Sequence, residues 1–340
     1  MPFFHTGLIL KPNEVEKALQ LLEGEISIAP DPTKRFWASS DGVAMSYQTS
    51  FETREDYIFN IDNMVLCYEL QISAKSSEEA FNILSIIKAG MYLGYPELLQ
   101  EHGLPFPIEV TKSSINVCNT QPFWSQFIYD DKIDIGLFTY KAAKDDTQRI
   151  YALEKYKLSL EQDSITPHSG HPKYGQIFEN ESSMHSTHVK QLTSVILAYS
   201  VIEEIGCEIR ASEKNPRFIK GKWNPEVWDE TINRLEKKGI AVDEKFVWIF
   251  RGDDTPIHKE FTDDFGVLAN YNDENIVRDR ELHIIEAIQF ASYLRNFVAA
   301  HRFNEKSKYI SPYDVYNVQM LARKLLMQSM GIWSYVRNNA

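Results

Sequence analysis

The chain has 340 residues, of which 43% are hydrophobic and 25% charged, enough apolar material for a core in each of two domains. No uncharged apolar run approaches the roughly 18–20 residues of a membrane span, and Met1-Pro2-Phe3-Phe4-His5-Thr6 lacks the basic flank and cleavage site of a secretory signal; the expectation is a cytoplasmic protein without membrane contact. The net charge of −12 is uneven: residues 1–180 carry 15 basic and 25 acidic side chains, residues 181–340 carry 21 and 23. Cys67, Cys118 and Cys207 lie far apart and cannot all pair, which fits reduced thiols.

Strand-like and helix-like segments alternate over the first half. Gly7-Leu8-Ile9-Leu10 reads as a short strand, and Asn13 caps a helix reaching about Leu22 through Val15 and Leu19. Two β-rich stretches follow, near Phe36–Thr49 and Tyr57–Ile72. Ser76-Ser77-Glu78-Glu79 is a capping box ahead of the apolar face Phe81, Ile83, Leu84, Ile87 and Met91. Strands are expected over Pro107–Val110 and Ile133–Tyr140. The order β-α-β-β-α-β predicts a mixed α+β domain, ferredoxin-like in its simplest form, over residues 1–165.

Asp145 to Gln162 reads as a bridging helix with Ile150, Leu153, Leu158 and Leu160, and the Pro-, Gly-, Ser- and His-rich stretch from Ser164 to Tyr174 marks the boundary. From Ser182 the pattern is helical, so residues 166–340 are expected to form an all-α domain. Val189, Leu192, Ile196, Tyr199 and Ile202 step by three and four up to Gly206. Asn224-Pro225 opens a helix closed by Gly239, and Ser311-Pro312 opens another with Val315, Val318, Leu321 and Leu325 on one face and Gly331 at its end.

Between these lies a helix with one stripe of Ile284, Ala287, Ala291, Leu294 and Val298 and a second of Phe290, Tyr293 and Phe297. A helix apolar over most of its circumference is buried in a core or an interface. Between Glu286 and His301 its only formally charged side chain is Arg295, and a guanidinium is not desolvated without an anion or an open cleft to answer it. Downstream, residues 295–340 hold seven basic side chains, among them Arg302, Lys306 and Lys308, against Glu305 and Asp314. Such a patch suits a polyanion.

Arg295-Asn296-Phe297-Val298-Ala299-Ala300-His301 resembles the Arg-polar-x-His motif of the HEPN superfamily, helical domains that include many metal-independent ribonucleases of defence and toxin systems. The resemblance spans roughly residues 182–336, including the Tyr199–Gly206 helix end, and says little about residues 1–160. Arg251–His258 and Arg278–His283 share the bare spacing, but only Arg295 lies late in a buried helix followed by a basic loop and a second capped helix.

The resemblance implies an endoribonuclease in which His301 moves a proton, Arg295 stabilises charge on the phosphate and Asn296 holds the imidazole or a phosphate oxygen. Six positions of an ideal helix leave Arg295 and His301 about 120° apart and about 9 Å along the axis, so they can serve one phosphate only if the helix ends near Ala299 or if two copies of the motif face each other; the resemblance implies the second arrangement, a homodimer with a composite cleft. Arg302, Lys306 and Lys308 would bind substrate, with Glu203, Glu204 and Tyr293 in support. RNA, a second copy and a protein regulator or antitoxin are the expected partners. No cofactor or metal is expected, because the nucleophile belongs to the substrate. The alternative is a non-catalytic dimeric helical interaction or regulatory module, with Arg295 paired to Glu203 or Glu204 for packing alone.

Other constellations are weaker. His168, His171, His185 and His188 form two H-x-x-H pairs without a nearby cysteine, and Asp253-Asp254, Asp263-Asp264 and Glu203-Glu204 read as loop or helix surface. There is no Walker A loop, no G-x-G-x-x-G after a strand and no G-x-S-x-G elbow.

Overall fold

The computed structural model describes residues 1–10, 12–22, 24–29, 36–39, 42–47, 64–94, 107–110, 128–129, 133–162, 185–250, 257, 270–272, 275–277, 279–299, 304 and 307–339. The chain forms two compact units, Met1–Lys144 and Asp145–Ala340, so the division falls ahead of the expected 165/166 boundary, whose Ser164–Tyr174 stretch lies outside the described residues.

The first unit is α+β. Its strands are β1 (Phe3–Leu10), β2 (Ile26–Ala29), β3 (Phe36–Ser39), β4 (Gly42–Tyr47), β5 (Met64–Ser73), β6 (Ile108–Glu109) and β7 (Ile128–Tyr129). The central strand β5 pairs antiparallel with β1 along one edge and with β2 and β3 along the other, while β6 lies antiparallel to the far edge of β1. Strands β1 and β2, joined through helix α1 (Pro12–Leu19), therefore run parallel with β5 between them.

The β1–β5 ladder slips between His5 and Ile9, where Thr6, Gly7 and Leu8 stand opposite Leu70 alone. Gly7 takes φ +72°, a conformation in which a side chain is strained. The bulge frees backbone donors inside the sheet, and the buried Glu69 carboxylate meets them: it accepts from Thr6 N at 3.2 Å and Gly7 N at 3.4 Å, and lies 2.7 Å from His5 Nδ1.

Helix α2 (Ser77–Gly94) begins where Ser76 Oγ accepts from Glu79 N, and Glu79 in turn accepts from Lys75 N. Against it packs α3 (Ile133–Ala143), a helix where alternation of isoleucines predicts a strand. The buried set Ile133, Gly136, Leu137, Tyr140 and Ala143 has helical spacing, and tertiary contact with α2 outweighs the β-branched composition. Close approach requires glycine: a Cβ on Gly136 would lie 2.6 Å from the Ile87 carbonyl oxygen, and one on Gly90 would lie 2.5 Å from Thr139 Cβ.

The second unit is mainly helical: α4 (Thr147–Gln162), α5 (His185–Glu204), α6 (Pro225–Lys237), α7 (Ile284–Tyr293), α8 (Pro312–Ser329) and α9 (Ile332–Asn339). Helix α5 packs between α4 and α8. The expected stripe on α5 holds at its end, where Tyr199 and Ile202 are buried, and is rotated at its start: Val189 is exposed and Leu192 and Ile196 are half-buried, whereas His188, Gln191, Val195 and Ala198 are buried. Some of the polar residues on the inner face find partners there: Ser159 and Ser194 exchange hydroxyl-to-carbonyl hydrogen bonds, and Gln319 of α8 donates to Ser159, whereas the Gln191 amide is buried without a hydrogen-bond partner.

The unit is not all-α as expected. Among its described residues are three antiparallel ribbons, β8 (Phe218–Ile219) with β9 (Lys222–Trp223), β10 (Lys245–Trp248) with β13 (Arg280–His283), and β11 (Asn270–Asn272) with β12 (Asn275–Val277). The aromatic run through Trp248 makes β10 a buried strand, and Asn317 of α8 secures its end by donating to Ile249 O at 2.8 Å and accepting from Ile249 N at 2.9 Å. Trp248 stacks on Phe290 of α7 at 4.5 Å. Ile284, Ala287, Ala291 and Leu294 are fully buried, as their spacing predicts.

Substituting Gly136→Ala should destabilise the first unit by about 1–3 kcal/mol through overpacking. A lower denaturant midpoint with an unchanged slope is the expected result; an unaltered midpoint would show that the two helices separate without cost.

Candidate functional site

Two helix ends bring the polar residues of the second unit together. Helix α5 stops at Gly206 (φ +66°), where Gly206 N donates to Glu203 O and Cys207 N to Ile202 O, the paired bonds of a Schellman turn. This fixes Glu203 and Glu204 on the last helical turn. They then diverge: Glu204 pairs with Lys155 of α4, and Glu203 faces Arg295.

Helix α7 does not continue as an α-helix. Residues Leu294–Ala299 form a π-helical segment, whose i→i+5 bonding changes the angular step on which the 120° separation of Arg295 and His301 was based. Such segments mark places where regular helix gives way to local demands, often at functional sites. Arg295 and Asn296 occupy its second and third positions.

Around them runs one hydrogen-bonded network. Arg295 Nη1 donates to Asn296 Oδ1 at 2.6 Å, and Asn296 Nδ2 donates to Ser292 Oγ at 3.1 Å. Arg217, in the loop before β8, donates to Ser292 Oγ at 3.1 Å, to Gln289 Oε1 at 2.7 Å and to Ile209 O at 3.3 Å. Ser292 is fully buried, and both its lone pairs are engaged by nitrogen donors, leaving its own proton for the Tyr199 hydroxyl with which it also hydrogen-bonds. Burial raises the Tyr199 phenol above its ordinary pKa, against the lowering effects of Ser292 and the Arg217 charge.

The Arg295–Glu203 ion pair is loose. Nη2 and Oε2 are 3.6 Å apart, and the side chains are 33% and 39% exposed. A pair so open to water contributes about 0–1 kcal/mol. The guanidinium is held in place by Asn296 more firmly than it is neutralised by Glu203, and its Nε is buried without a hydrogen-bond partner.

Of the residues singled out from sequence, Arg295, Asn296 and Glu203 come together, while Glu204 belongs to the α4–α5 contact. Tyr293 is half-buried and packs near Phe290, with ring centroids 6.4 Å apart. His301, Arg302 and Lys306 lie outside the described residues, as do His168, His171 and the Asp253-Asp254 and Asp263-Asp264 pairs. Lys308 falls in a 3-10 turn, Ser307–Tyr309. This turn is tied to α5 by His188, whose Nε2 lies 2.6 Å from Ser307 O. Among the described residues no group of three or more His, Cys, Asp or Glu side chains is placed to hold a metal, and no helix is long and apolar enough to cross a membrane.

Ser292, Arg217, Gln289 and Tyr199 are members of the site that sequence reasoning did not assign. Ser292 and Gln289 left a signal, two polar side chains within an apolar helix. Arg217 left none, since its reach to α7 depends on the path of the loop.

Replacing Ser292 by Ala should cost about 1–3 kcal/mol, because Asn296 and Arg217 lose an acceptor inside the protein. Urea unfolding of Ser292→Ala, Asn296→Ala and the double variant should show coupling between the two positions; additive losses would mean the network is not cooperative. Alkaline pH provides a second check. Burial pushes the Cys207 thiol up to about 12, against 9.0 for a free thiol, and holds Tyr199 protonated above 10.0. The folded chain therefore keeps protons that the unfolded chain releases, and stability should fall as pH rises from about 9 towards 12. A thermal midpoint constant across that window would contradict this.

Compared with protein-family models, with curated proteins and with solved structures, the chain matches none.

Proposed function

We propose that the second unit is a metal-independent endoribonuclease of the HEPN kind, acting as a defence or toxin effector in the cytoplasm. The carrying observation is the placement of Arg295: a guanidinium one-third exposed at a π-turn, oriented by Asn296 and Ser292 and opposed, among the described residues, by a surface carboxylate at 3.6 Å. A phosphate offers that fork two charge-assisted hydrogen bonds, each worth about 1.5–3 kcal/mol, against the at most about 1 kcal/mol of an exposed ion pair. RNA is thus able to displace Glu203.

In the reaction the ribose 2′-oxygen attacks the adjacent phosphorus, the bond to the 5′-oxygen breaks, and a cyclic phosphate and a 5′-hydroxyl result. The proton of the 2′-hydroxyl passes to His301, and an imidazole returns a proton to the departing oxygen. Arg295 balances the charge that grows on the phosphoryl oxygens. Two copies of the chain, apposed across the π-segment, would supply the two imidazoles, and Arg302, Lys306 and Lys308 would hold the strand. The first unit serves as sensor or platform for a protein regulator or antitoxin; its β6-β1-β5-β2 order, with β1 and β2 parallel across β5, supports a ferredoxin-like reading of that unit.

The Arg295–Glu203 pair itself favours a second reading, a dimeric helical interaction module in which the network serves only packing. Purified chain with RNA and EDTA separates the two. Cleavage is expected, lost about 10²–10⁴-fold in His301→Ala and about 10²–10³-fold in Arg295→Ala, with circular dichroism unchanged. Glu203→Gln should retain cleavage. Intact RNA with wild type across pH, or equal cleavage by His301→Ala, overturns the nuclease reading.

A further inference from the structure

Residues 210–223 carry five basic side chains and one acid in a chain of net charge −12. Within this stretch β8 and β9 form a hairpin whose two-residue turn, Lys220 (φ 52°) and Gly221 (φ 78°), has the left-handed geometry that matches strand twist. Its base is clamped: Asn224, the N-cap of α6, donates through its side chain to Asn215 Oδ1 and Pro216 O, and its backbone N donates to Arg217 O.

The clamped hairpin presents two large apolar side chains to water, Phe218 (42% exposed) and Ile219 (49%). Phe218 is the outermost ring of a series that continues through Trp223 at 4.6 Å and Trp228 at 5.1 Å. Lys214, Lys220 and Lys222 are exposed beside it, and none takes part in an ion pair among the described residues. An exposed aromatic ring flanked by solvated lysines is complementary to an anionic ligand with apolar faces.

We infer that this hairpin is a single-stranded RNA-binding surface, on which a base stacks against Phe218 while Lys214, Lys220 and Lys222 meet the phosphates. Two observations favour RNA over an anionic membrane. Aromatic rings with flanking lysines form a platform for bases, which every nucleotide can use. In addition, the hairpin's root is wired to the Arg295 cluster: Arg217, the residue before Phe218, shares Ser292 Oγ with Asn296. A strand lying along the hairpin is thereby led towards Arg295. The inference rests on the nuclease reading and gives it a strand-holding element apart from the basic segment after Arg295.

The probe is a labelled, fully 2′-O-methylated RNA of about 12 nucleotides, which cannot be cleaved through its 2′-oxygen, with the full chain in EDTA. Phe218→Ala should weaken binding about 5- to 100-fold. Lys220→Gln with Lys222→Gln should weaken it about ten-fold and make the dependence of log affinity on log salt shallower by about 1.4. Both lysines are exposed, so the double variant decides the matter even if Phe218→Ala loosens the hairpin. Unchanged affinity in the folded double variant overturns the proposal, as does wild-type binding to phosphatidylserine vesicles in place of the oligonucleotide. Cleavage of unmodified RNA is scored separately. Hairpin-dependent binding without cleavage sinks the nuclease reading and upholds the surface; cleavage with unchanged KM in the double variant does the reverse.

Discussion

The hydroxyl of Ser292 accepts from Asn296 and from Arg217 and hydrogen-bonds Tyr199, all on a helix whose other polar side chains are Glu286 and Gln289. One small side chain therefore reconciles two guanidiniums with a hydrophobic setting. Without it, Asn296 Nδ2 would lose its acceptor and Arg217 would keep only Gln289 and Ile209 O, and the cost of a stranded polar group exceeds the modest gain of a typical hydrogen bond. Through Ser292, the end of α5, the loop before β8 and the π-segment after α7 become one construction.

That construction explains why Arg295 is available. Its orientation comes from Asn296, its neighbour in sequence, while its neutralisation is left to a surface carboxylate. Orientation and charge compensation are thus divided between different partners, and only the second is open to exchange with solvent anions. The π-segment contributes by abandoning regular helical bonding at the residues that need to reach sideways. Arg217 extends the same logic outward, since its guanidinium anchors the root of an exposed basic hairpin to the cluster that carries Arg295.

The first unit solves a related problem with the opposite charge. A bulge in β1 leaves backbone donors facing the interior, and buried Glu69 of β5 accepts them. A carboxylate in a sheet interior is expensive unless it is fully engaged, and here the His5 ring and two backbone amides surround it. The glycines of α2 and α3 do the complementary work for packing, allowing backbones to approach where any Cβ would collide.

Much of the helical frame was legible in sequence, because caps and stops are local. Asn224-Pro225, Ser311-Pro312, Ser76 with Glu79, and the glycines at 206, 239 and 331 act through bonds that span only a few residues. Arg295 stood out for a local reason too, as a lone cation on a greasy helix. Features that depend on distant partners were misread or missed. Ile133–Tyr140 has β-branched residues yet is helical because α2 lies against it; Val189 faces water while His188, Gln191 and Ser194 take the inner face of α5. Arg217 joins the cluster through a loop path that no periodicity encodes. Sequence by itself determined the helix ends that carry a side-chain cap or a glycine stop and which charge lacked a local partner, since those are settled within a turn or two of chain. Tertiary structure alone decided that Glu203 would face that charge and that Arg217 would join its network through Ser292 and Gln289, since these contacts join residues more than seventy positions apart.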